Sequence, residues 1–396
     1  MIHVAVLGHG VVGSGVAELI SGIGEGLTRK ADELLNLKYI LDVREFPDSP
    51  FAECFVKDFS VIEADPEVEI VVETIGGTAV ALDFTRRALT AGKSVVTSNK
   101  EVVANYGQEL MELATEHGVT YLFEASVGGG IPVLRPLNQC MAANEIQEIC
   151  GILNGTTNYI FTRMIQGGLS FEAALKEAQE KGYAEQNPAA DVEGHDTCRK
   201  ICILASIAFG WHVRPEEVPT VGITGVTLHD VAFAAAAGKK IKLLGRAIHN
   251  ADGTICTYVE PHLVDVSNPL AGVEDVFNAI TVKGNATGDV MFYGRGAGKM
   301  PTASAVVADV IAIARQMQRS AYRPWSPSRP ERSVSVDTLE SPWMVLLRDG
   351  ELSQGAEIQL SGNAEGHGFL VSPMTRPALL NTLQGLEVLS TIRVLD

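Results

Sequence analysis

The chain has 396 residues, 46% of them apolar and 20% charged, enough for two or three domains at roughly 150 residues each and for a sizeable core. Its formal net charge of −17 argues against a nucleic-acid or anionic-membrane partner, since either calls for a basic face. A phosphorylated small molecule stays compatible, because a helix N-terminus holds phosphate with backbone N–H groups whatever the global charge.

Residues Met1–Leu7 read as a strand running into a glycine turn. They lack the basic start and cleavage site of a signal peptide. No segment approaches the roughly 20 uninterrupted apolar residues that span a bilayer. Cys54, Cys140, Cys150, Cys198, Cys202 and Cys256 have no framework spacing, which points to reduced thiols. A cytoplasmic protein is expected, with a small-molecule substrate and neither a membrane nor a nucleic acid as partner.

Short β-branched runs alternate with helical patterns over the first 125 or so residues, as in a mostly parallel sheet covered by helices. The predicted strands are His3–Leu7, Lys38–Leu41, Ile70–Glu73, Ser94–Thr97 and Thr120–Phe123, and the predicted helices Gly13–Ile20, Val80–Ala91 and Glu101–His117. Gly92 and Gly118 stand where helix C-caps belong. From about Ile131 the order stops alternating: strand-like Ile146–Leu153 and Ile255–Leu263 are interleaved with helical Ser170–Lys181 and Asp196–Phe209, which fits an α+β domain. The glycine-rich turn Gly294–Gly298 precedes a helix from Ala303 to about Gln318. Pro324, Pro327 and Pro330 mark a linker, and strand, strand, helix, strand follow from Ser341.

Gly8-His9-Gly10-Val11-Val12-Gly13 fits G-x-G-x-x-G directly after the first strand and at the start of a helix, the setting of a dinucleotide fingerprint. Gly8 permits the tight turn, Gly10 lets backbone approach a pyrophosphate, and Gly13 allows close packing of helix on strand. The second strand ends in Asp42-Val43-Arg44. Asp42 suits a ribose 2′-hydroxyl and hence NAD, whereas Arg44 suits a 2′-phosphate and hence NADP, so both cofactors stand. Val11 and Val12 in the turn, Thr74 beyond the strand Ile70–Glu73, and Ser98 beyond the strand Ser94–Thr97 join the candidate cofactor contacts.

Exchange of a hydroxyl proton beside a nicotinamide needs an acid/base group. Lys100 lies just past a strand's carboxyl end, where open parallel sheets bind ligands. Lys200 lies one turn after Asp196. Acid before base at i,i+4 is also an ordinary helix-stabilising pair. The helix continues, however, as Ile201-Cys202-Ile203-Leu204-Ala205, apolar on all faces and so buried. Glu193, Asp196 and Lys200 along one side of a buried helix fit a polar pocket better than a solvated face. Glu185 and Asp191 flank the loop into this helix and suit a substrate ammonium group. Asn154-Gly155-Thr156-Thr157-Asn158 opens another helix whose free N–H groups can take a carboxylate. His195, Cys198 and Cys202 match no tight zinc spacing.

These segments resemble the homoserine dehydrogenases over essentially residues 1–320: Gly8–Gly15, Ser98-Asn99-Lys100, Glu124–Pro132, Asn154–Tyr159, Gly182–Lys200, Gly222-Ile223-Thr224, Lys240–Gly245 and Gly296–Ser304. The run Gly182–Lys200 is the most specific. The resemblance implies that Lys200 is the acid/base lysine, that Glu185 and Asp196 hold the amino alcohol with Asp191 nearby, and that Lys100 shares proton transfer. Gly155 and Thr156 join the implied substrate contacts, and Gly182, Gly296 and Gly298 approach the cofactor from the second domain. It also implies a sodium ion held by Glu124 and the backbone carbonyls of Val127, Gly129 and Ile131, and a homodimer, with higher assembly possible through the C-terminal region.

The implied fold is an α/β Rossmann-type doubly wound sheet over 1–130, completed by 299–320, with an α+β substrate and dimerisation domain over 131–298. A linker over 321–340 leads to a short βαβ-like region over 341–396 resembling a truncated ACT domain. Asp349-Gly350-Glu351-Leu352 replaces that domain's first helix and glycine turn, which leaves feedback inhibition by threonine open. Two rival readings are a dehydrogenase of another small hydroxy amino acid and a non-catalytic sensor of an amino acid or nucleotide. Lys100, Glu185, Asp196 and Lys200 together speak against the sensor, which has no need of an acid/base lysine.

Overall fold

The computed structural model describes residues 1–22, 31–315, 322–350, 352, 356–360 and 366–395. Parts of four expected segments lie outside the described residues: the ends of the helix from Ala303 to Gln318 and of the stretch 299–320, the start of the 321–340 linker, and, in the C-terminal region, Glu351 and 353–355, 361–365 and 396. The chain divides into two compact units.

The first unit comprises Met1–Glu145, Cys202–Pro215 and Gly294–Arg329. Its strands β1 (Ile2–Leu7), β2 (Leu35–Leu41), β3 (Phe55–Val56), β4 (Val68–Glu73), β5 (Ser94–Thr97) and β6 (Tyr121–Leu122) form one sheet in the order β3-β2-β1-β4-β5-β6. Every pair is parallel, with Val6 opposite Val72 and Val72 opposite Val96. Continuous apolar runs such as Val4–Leu7 and Ile70–Val72 are fully buried, as parallel strands covered on both faces require. Helices Val11–Gly22, Ala79–Thr90 and Lys100–Glu116 differ from expectation by a residue or two at their ends. Gly92 (φ 74°) and Gly118 (φ 66°) adopt the left-handed conformation that ends the second and third of them. Sequence periodicity missed β3 and the helix Phe59–Ala64, which are too short to show a period.

The helix Lys299–Ala314 packs on Val11–Gly22. A Cβ at Gly15 would stand 3.0 Å from the Ala303 Cβ, and Lys299 pairs with Glu18 at 2.6 Å. A doubly wound sheet of this order reverses its direction of winding between β1 and β4, and ligands bind outside the carboxyl ends of the strands at that point.

The second unit comprises Ile146–Ile201, Glu216–Tyr293 and Pro330–Asp396. Its mixed sheet runs β11-β10-β7-β8-β9-β15-β12-β14-β13, with β7 (Ile146–Ile152), β8 (Lys239–His249), β9 (Ile255–Asp265), β10 (Phe277–Gly284), β11 (Gly288–Arg295), β12 (Ser341–Leu347), β13 (Ala356–Leu360), β14 (His367–Met374) and β15 (Val388–Val394). The strand–strand–helix–strand outline expected after Ser341 appears as β12, β14, the helix Arg376–Thr382 and β15, with β13 in addition. β15 pairs in parallel with β9, so these strands continue the larger sheet.

That junction is closed by Arg393, which is buried and stacks its guanidinium 4.3 Å over the Trp343 ring. Its Nε donates to Glu260 at 2.5 Å and its guanidinium also donates to Ser341 Oγ at 2.8 Å. Glu260 also accepts from the Arg376 guanidinium at 2.5 Å, so loss of Arg393 leaves it one cationic partner and costs less than the roughly 3–5 kcal/mol of a fully stranded buried charge. Arg393→Ala is expected to lower the melting temperature by about 5 °C. Scanning calorimetry checks this, and an unmoved transition would mean that the pair carries no net stabilisation.

Candidate functional site

In the first unit the fingerprint turn lies at the β1–β4 reversal. Gly8 is left-handed (φ 90°), and a Cβ at Gly13 would stand 1.8 Å from the Gly8 carbonyl oxygen and 2.7 Å from Thr74 Oγ1. Thr74 clamps the turn from β4: its N–H and hydroxyl donate to the Leu7 carbonyl at 2.9 and 2.8 Å, and the hydroxyl reaches the Gly8 carbonyl at 3.0 Å. A Cβ at Gly10 would meet no protein atom within 4 Å, so internal packing is not what calls for glycine there. Val11, exposed, and Val12 begin the helix, whose first amides point out of the turn. Beside it lies a cavity of about 520 Å³ lined by Gly8, Leu41, Asp42, Val43, Lys57, the segment Ile75–Val80 and Phe84.

Asp42 and Arg44, opposed alternatives in the sequence, hold each other. The Arg44 guanidinium donates to both Asp42 oxygens at 3.0 and 2.9 Å, and the Arg44 and His9 N–H groups add 2.9 and 2.7 Å bonds. The guanidinium contact, despite burial and helped by these N–H groups, keeps the Asp42 carboxyl far below the usual carboxylate range. Sequence reasoning passed over His9. Its ring packs edge-on against the stacked pair Phe46 and Phe55 at 4.9 and 5.1 Å, and burial lowers its pKa.

Ser98 follows β5, and Asn99 caps the next helix by accepting the Val102 N–H at 3.1 Å, which makes Lys100 that helix's first residue. Asn99 Nδ2 also donates to the carbonyls of Ile75 and Gly77, at 3.1 and 2.7 Å, tying this turn to the cavity-lining segment.

Glu124, Val127, Gly129 and Ile131 lie on a turn after β6 in which Gly128 (φ 75°) and Gly129 (φ 52°) are left-handed. A Cβ at Gly129 would come within 2.5 Å of the Gly296 carbonyl oxygen. Gly296 and Gly298 thus belong to the first unit, and Gly298 caps the helix Lys299–Ala314. The Glu124 carboxylate is saturated by the N–H groups of Val133, Leu134 and Arg135, at 2.7, 2.9 and 2.8 Å, and by the Tyr322 hydroxyl at 3.2 Å. Its carbonyl accepts the Val127 N–H at 3.5 Å and keeps a second lone pair for a cation, a hard donor like those of Val127, Gly129 and Ile131.

In the second unit β7 runs through Leu153 into Asn154, which caps the helix Gly155–Gly167 by accepting the Thr157 N–H at 2.8 Å. Asn154 Nδ2 reaches both Asp191 Oδ1 and Asp196 Oδ2, at 2.7 and 2.8 Å. Lys200 Nζ donates to Asp196 Oδ2 at 2.6 Å and to the Leu153 carbonyl at 2.7 Å. Asp196 and Lys200 are 4% and 8% exposed, so this is no solvated helix pair. Burial first and the Asp196 charge second raise the Asp191 pKa. Thr156 Oγ1 donates to the Tyr183 carbonyl at 2.7 Å, and a Cβ at Gly155 would stand 2.8 Å from the Val276 carbonyl oxygen.

Two carboxylates on a shared amide, one of them also holding the Lys200 ammonium, leave an electronegative site with a group able to give or take a proton. The structure brings Asp191, Asp196 and Lys200 together. Glu185 is exposed, and its carbonyl accepts from Gln179; Gly182, also exposed, has φ 73°. Glu193 departs from the expected pocket face: it is exposed and pairs with the equally exposed His195 at 3.1 Å, because the residue three before Asp196 still belongs to the loop. Asn154 is the hub the sequence reading undervalued; its signal was an asparagine between a strand and a helix.

Two family models match the chain: the homoserine dehydrogenase NAD-binding domain over residues 8–124 and homoserine dehydrogenase over residues 132–311. A homoserine dehydrogenase of Synechocystis is 45% identical over 318 residues, 79% of this chain and 73% of the relative. The crystal structure of a homoserine dehydrogenase from Thiobacillus denitrificans superposes with a TM-score of 0.88 at 33% identity, covering 100% of this chain and 98% of that one. A hyperthermophilic archaeal homoserine dehydrogenase in complex with NADPH covers 81% of this chain and 99% of its own, with a TM-score of 0.68 at 28% identity.

Asn154 carries both a cap and a bridge, and two substitutions separate them. Asn154→Ala is expected to cost about 1 kcal/mol for the cap, whereas Asn154→Ser keeps a capping oxygen and loses only the amide between Asp191 and Asp196. Both variants lose the amide between the two carboxylates and should melt below the parent, the alanine variant by about a further 2–4 °C. Equal melts for the two variants would deny the cap its role.

Proposed function

Because this chain belongs to the homoserine dehydrogenase family, an oxidoreductase family with a nicotinamide-dinucleotide domain, we propose that it interconverts L-homoserine and L-aspartate 4-semialdehyde, with Lys200 as the acid/base. One observation carries the residue assignment: a buried lysine held between Asp196 and the Leu153 carbonyl, with Asp191 joined through Asn154. The sensor alternative is not favoured, since the relatives are dehydrogenases.

The fingerprint glycines, the helix N-terminus at Val11 and Val12, Thr74, Ser98 and the cavity beside Asp42 and Arg44 fit a dinucleotide, with Gly182, Gly296 and Gly298 as further contacts. A dinucleotide held by these residues would supply the hydride chemistry at its nicotinamide. Asp191, Asp196 and Glu185 bind the substrate ammonium, and the N-terminal turn at Gly155 and Thr156 takes its carboxylate. In the reducing direction the Lys200 ammonium gives a proton to the oxygen of the former aldehyde as its carbon gains hydride. In the oxidising direction the amine removes the hydroxyl proton. Asp196 and the Leu153 carbonyl hold Nζ in place, and Lys100 assists proton transfer.

A sodium ion is proposed on the turn after β6, bound by the carbonyl oxygens of Glu124, Val127, Gly129 and Ile131. A homodimer through the second unit and a cytoplasmic location complete the reading; among the described residues no helix is long and apolar enough to cross a membrane.

Absorbance at nicotinamide wavelengths tests the reaction, with homoserine against lactate and malate and with NAD against NADP. Turnover of homoserine alone is expected. Silence with both cofactors and in both directions, from folded protein, would refute the reading. Lys200→Ala is expected to lower kcat by roughly 10²–10⁴-fold while cofactor affinity stays within about twofold, as the lysine makes none of the fingerprint contacts. Full turnover by that variant would remove Lys200 from the chemistry.

A further inference from the structure

The last residue of β4 is a glutamate in the core of a parallel sheet, a position the reaction does not explain. Glu73 is 0% exposed and sits in register between Leu7 of β1 and Thr97 of β5. Its two oxygens serve different elements. Oε1 accepts the Ile75 N–H at 2.6 Å, and Oε2 accepts the Thr97 hydroxyl at 2.5 Å. Thr97 Oγ1 in turn accepts the Asn99 N–H at 2.9 Å, and Asn99 holds the carbonyls of Ile75 and Gly77 and caps the helix that starts at Lys100. The loop is closed: carboxylate, hydroxyl, amide, cavity-lining segment and back to the carboxylate.

We propose that Glu73 is a positioning residue of the cofactor site, its ionised carboxylate holding the segment Ile75–Thr78 and the turn before Lys100 in their binding geometry. The proposal rests on the nucleotide cofactor alone and is independent of which substrate is turned over. The ionised group accepts from Ile75 and Thr97 together. A proton on Oε2 faces the Thr97 hydroxyl donor to donor; Thr97 must then turn its hydrogen away, inside a residue that is itself fully buried, at the expense of one hydrogen bond. Burial, opposed by the bonds from Thr97, Ile75 and Asn99, raises the carboxyl to about 7, so the change falls in the neutral range. The titratable group that faces it is Tyr121 on β6, a fully buried hydroxyl pushed far up by its own burial and by the Glu73 charge, which stays neutral throughout. Leu7, Thr97 and Asn99, its other neighbours, carry no charge.

The sign follows. If the site needs the ionised form, affinity for the cofactor falls as pH drops through about 7. NADH and NADPH binding, read from nicotinamide fluorescence on the full chain without substrate between pH 6 and 8.5, is the test. The parent's Kd is expected to rise several-fold towards pH 6, while Glu73→Gln, which offers an N–H to Thr97 and an oxygen to Ile75 whatever the pH, gives a flat profile. In turnover the glutamine variant should change the KM for cofactor more than kcat. The same pH profile in parent and variant, or tighter binding by the parent at low pH, would overturn the proposal. Should Glu73→Gln not fold, Thr97→Val serves instead: it removes a donor from the carboxylate, so the inflection must move to higher pH, and an unmoved inflection counts against the proposal.

Discussion

There is no room for a side chain at residue 13. A Cβ there would run into the Gly8 carbonyl and the Thr74 hydroxyl, so the first helix can rise directly from the carboxyl end of β1 with its N-terminus beside β4. Much of the first unit follows from that close approach. It puts the fingerprint turn at the point where a sheet of order β3-β2-β1-β4-β5-β6 reverses its winding, and it lets Thr74 clamp the turn from the neighbouring strand. The free amides of the helix then lie beside the cavity that Asp42 and the segment after β4 line. An alanine at 13 would push the helix off the strand and take the anion site with it.

In the second unit the organising element is an amide. Asn154 ends a buried strand, starts a helix and hands its two N–H bonds to two carboxylates. Without a donor between them Asp191 and Asp196 would repel in a medium that screens poorly. With it, one carboxylate is free to hold Lys200 while burial and the Asp196 charge raise the pKa of the other. The lysine is held by a charge and by a carbonyl at a strand end, two anchors from different elements, which fixes Nζ more firmly than a helical i,i+4 pair does on its own.

The sequence made the first sheet legible because buried parallel strands and amphipathic helices have strong periods, and the glycine turn has a steric reason for each of its fixed positions. Gly13 and Gly8 fulfil those reasons directly. The buried Asp196–Lys200 contact was legible because both residues stand on a helix apolar all round. Less was readable where a residue's role depends on partners distant in the chain. Asn154 looked like a cap, and nothing local says that Asp191 and Asp196 converge on it. Asp42 and Arg44 read as alternatives and turn out to satisfy each other. Glu124 invited a cation with its carboxylate, which the backbone amides of residues 133–135 occupy instead. Glu193 looked like a neighbour of Asp196 by helical spacing, but the helix starts only at His195. The two-residue strand β3 and the pairing of β15 with β9 left no local trace.

The helix Lys299–Ala314 covers the first helix of the chain across nearly the whole intervening sequence. During synthesis the parallel sheet is finished with β6, long before that cover exists, and about half the chain must leave the ribosome in the interval. At roughly 5–20 residues per second the wait lasts on the order of ten seconds or more, with an apolar helix face open to water. Closing so long a loop adds little to the equilibrium cost, because the entropy grows only with the logarithm of length. The penalty is kinetic. The first unit is therefore most exposed to misassociation as a half-made chain, and a segment that contributes nothing to its sheet decides when it becomes safe.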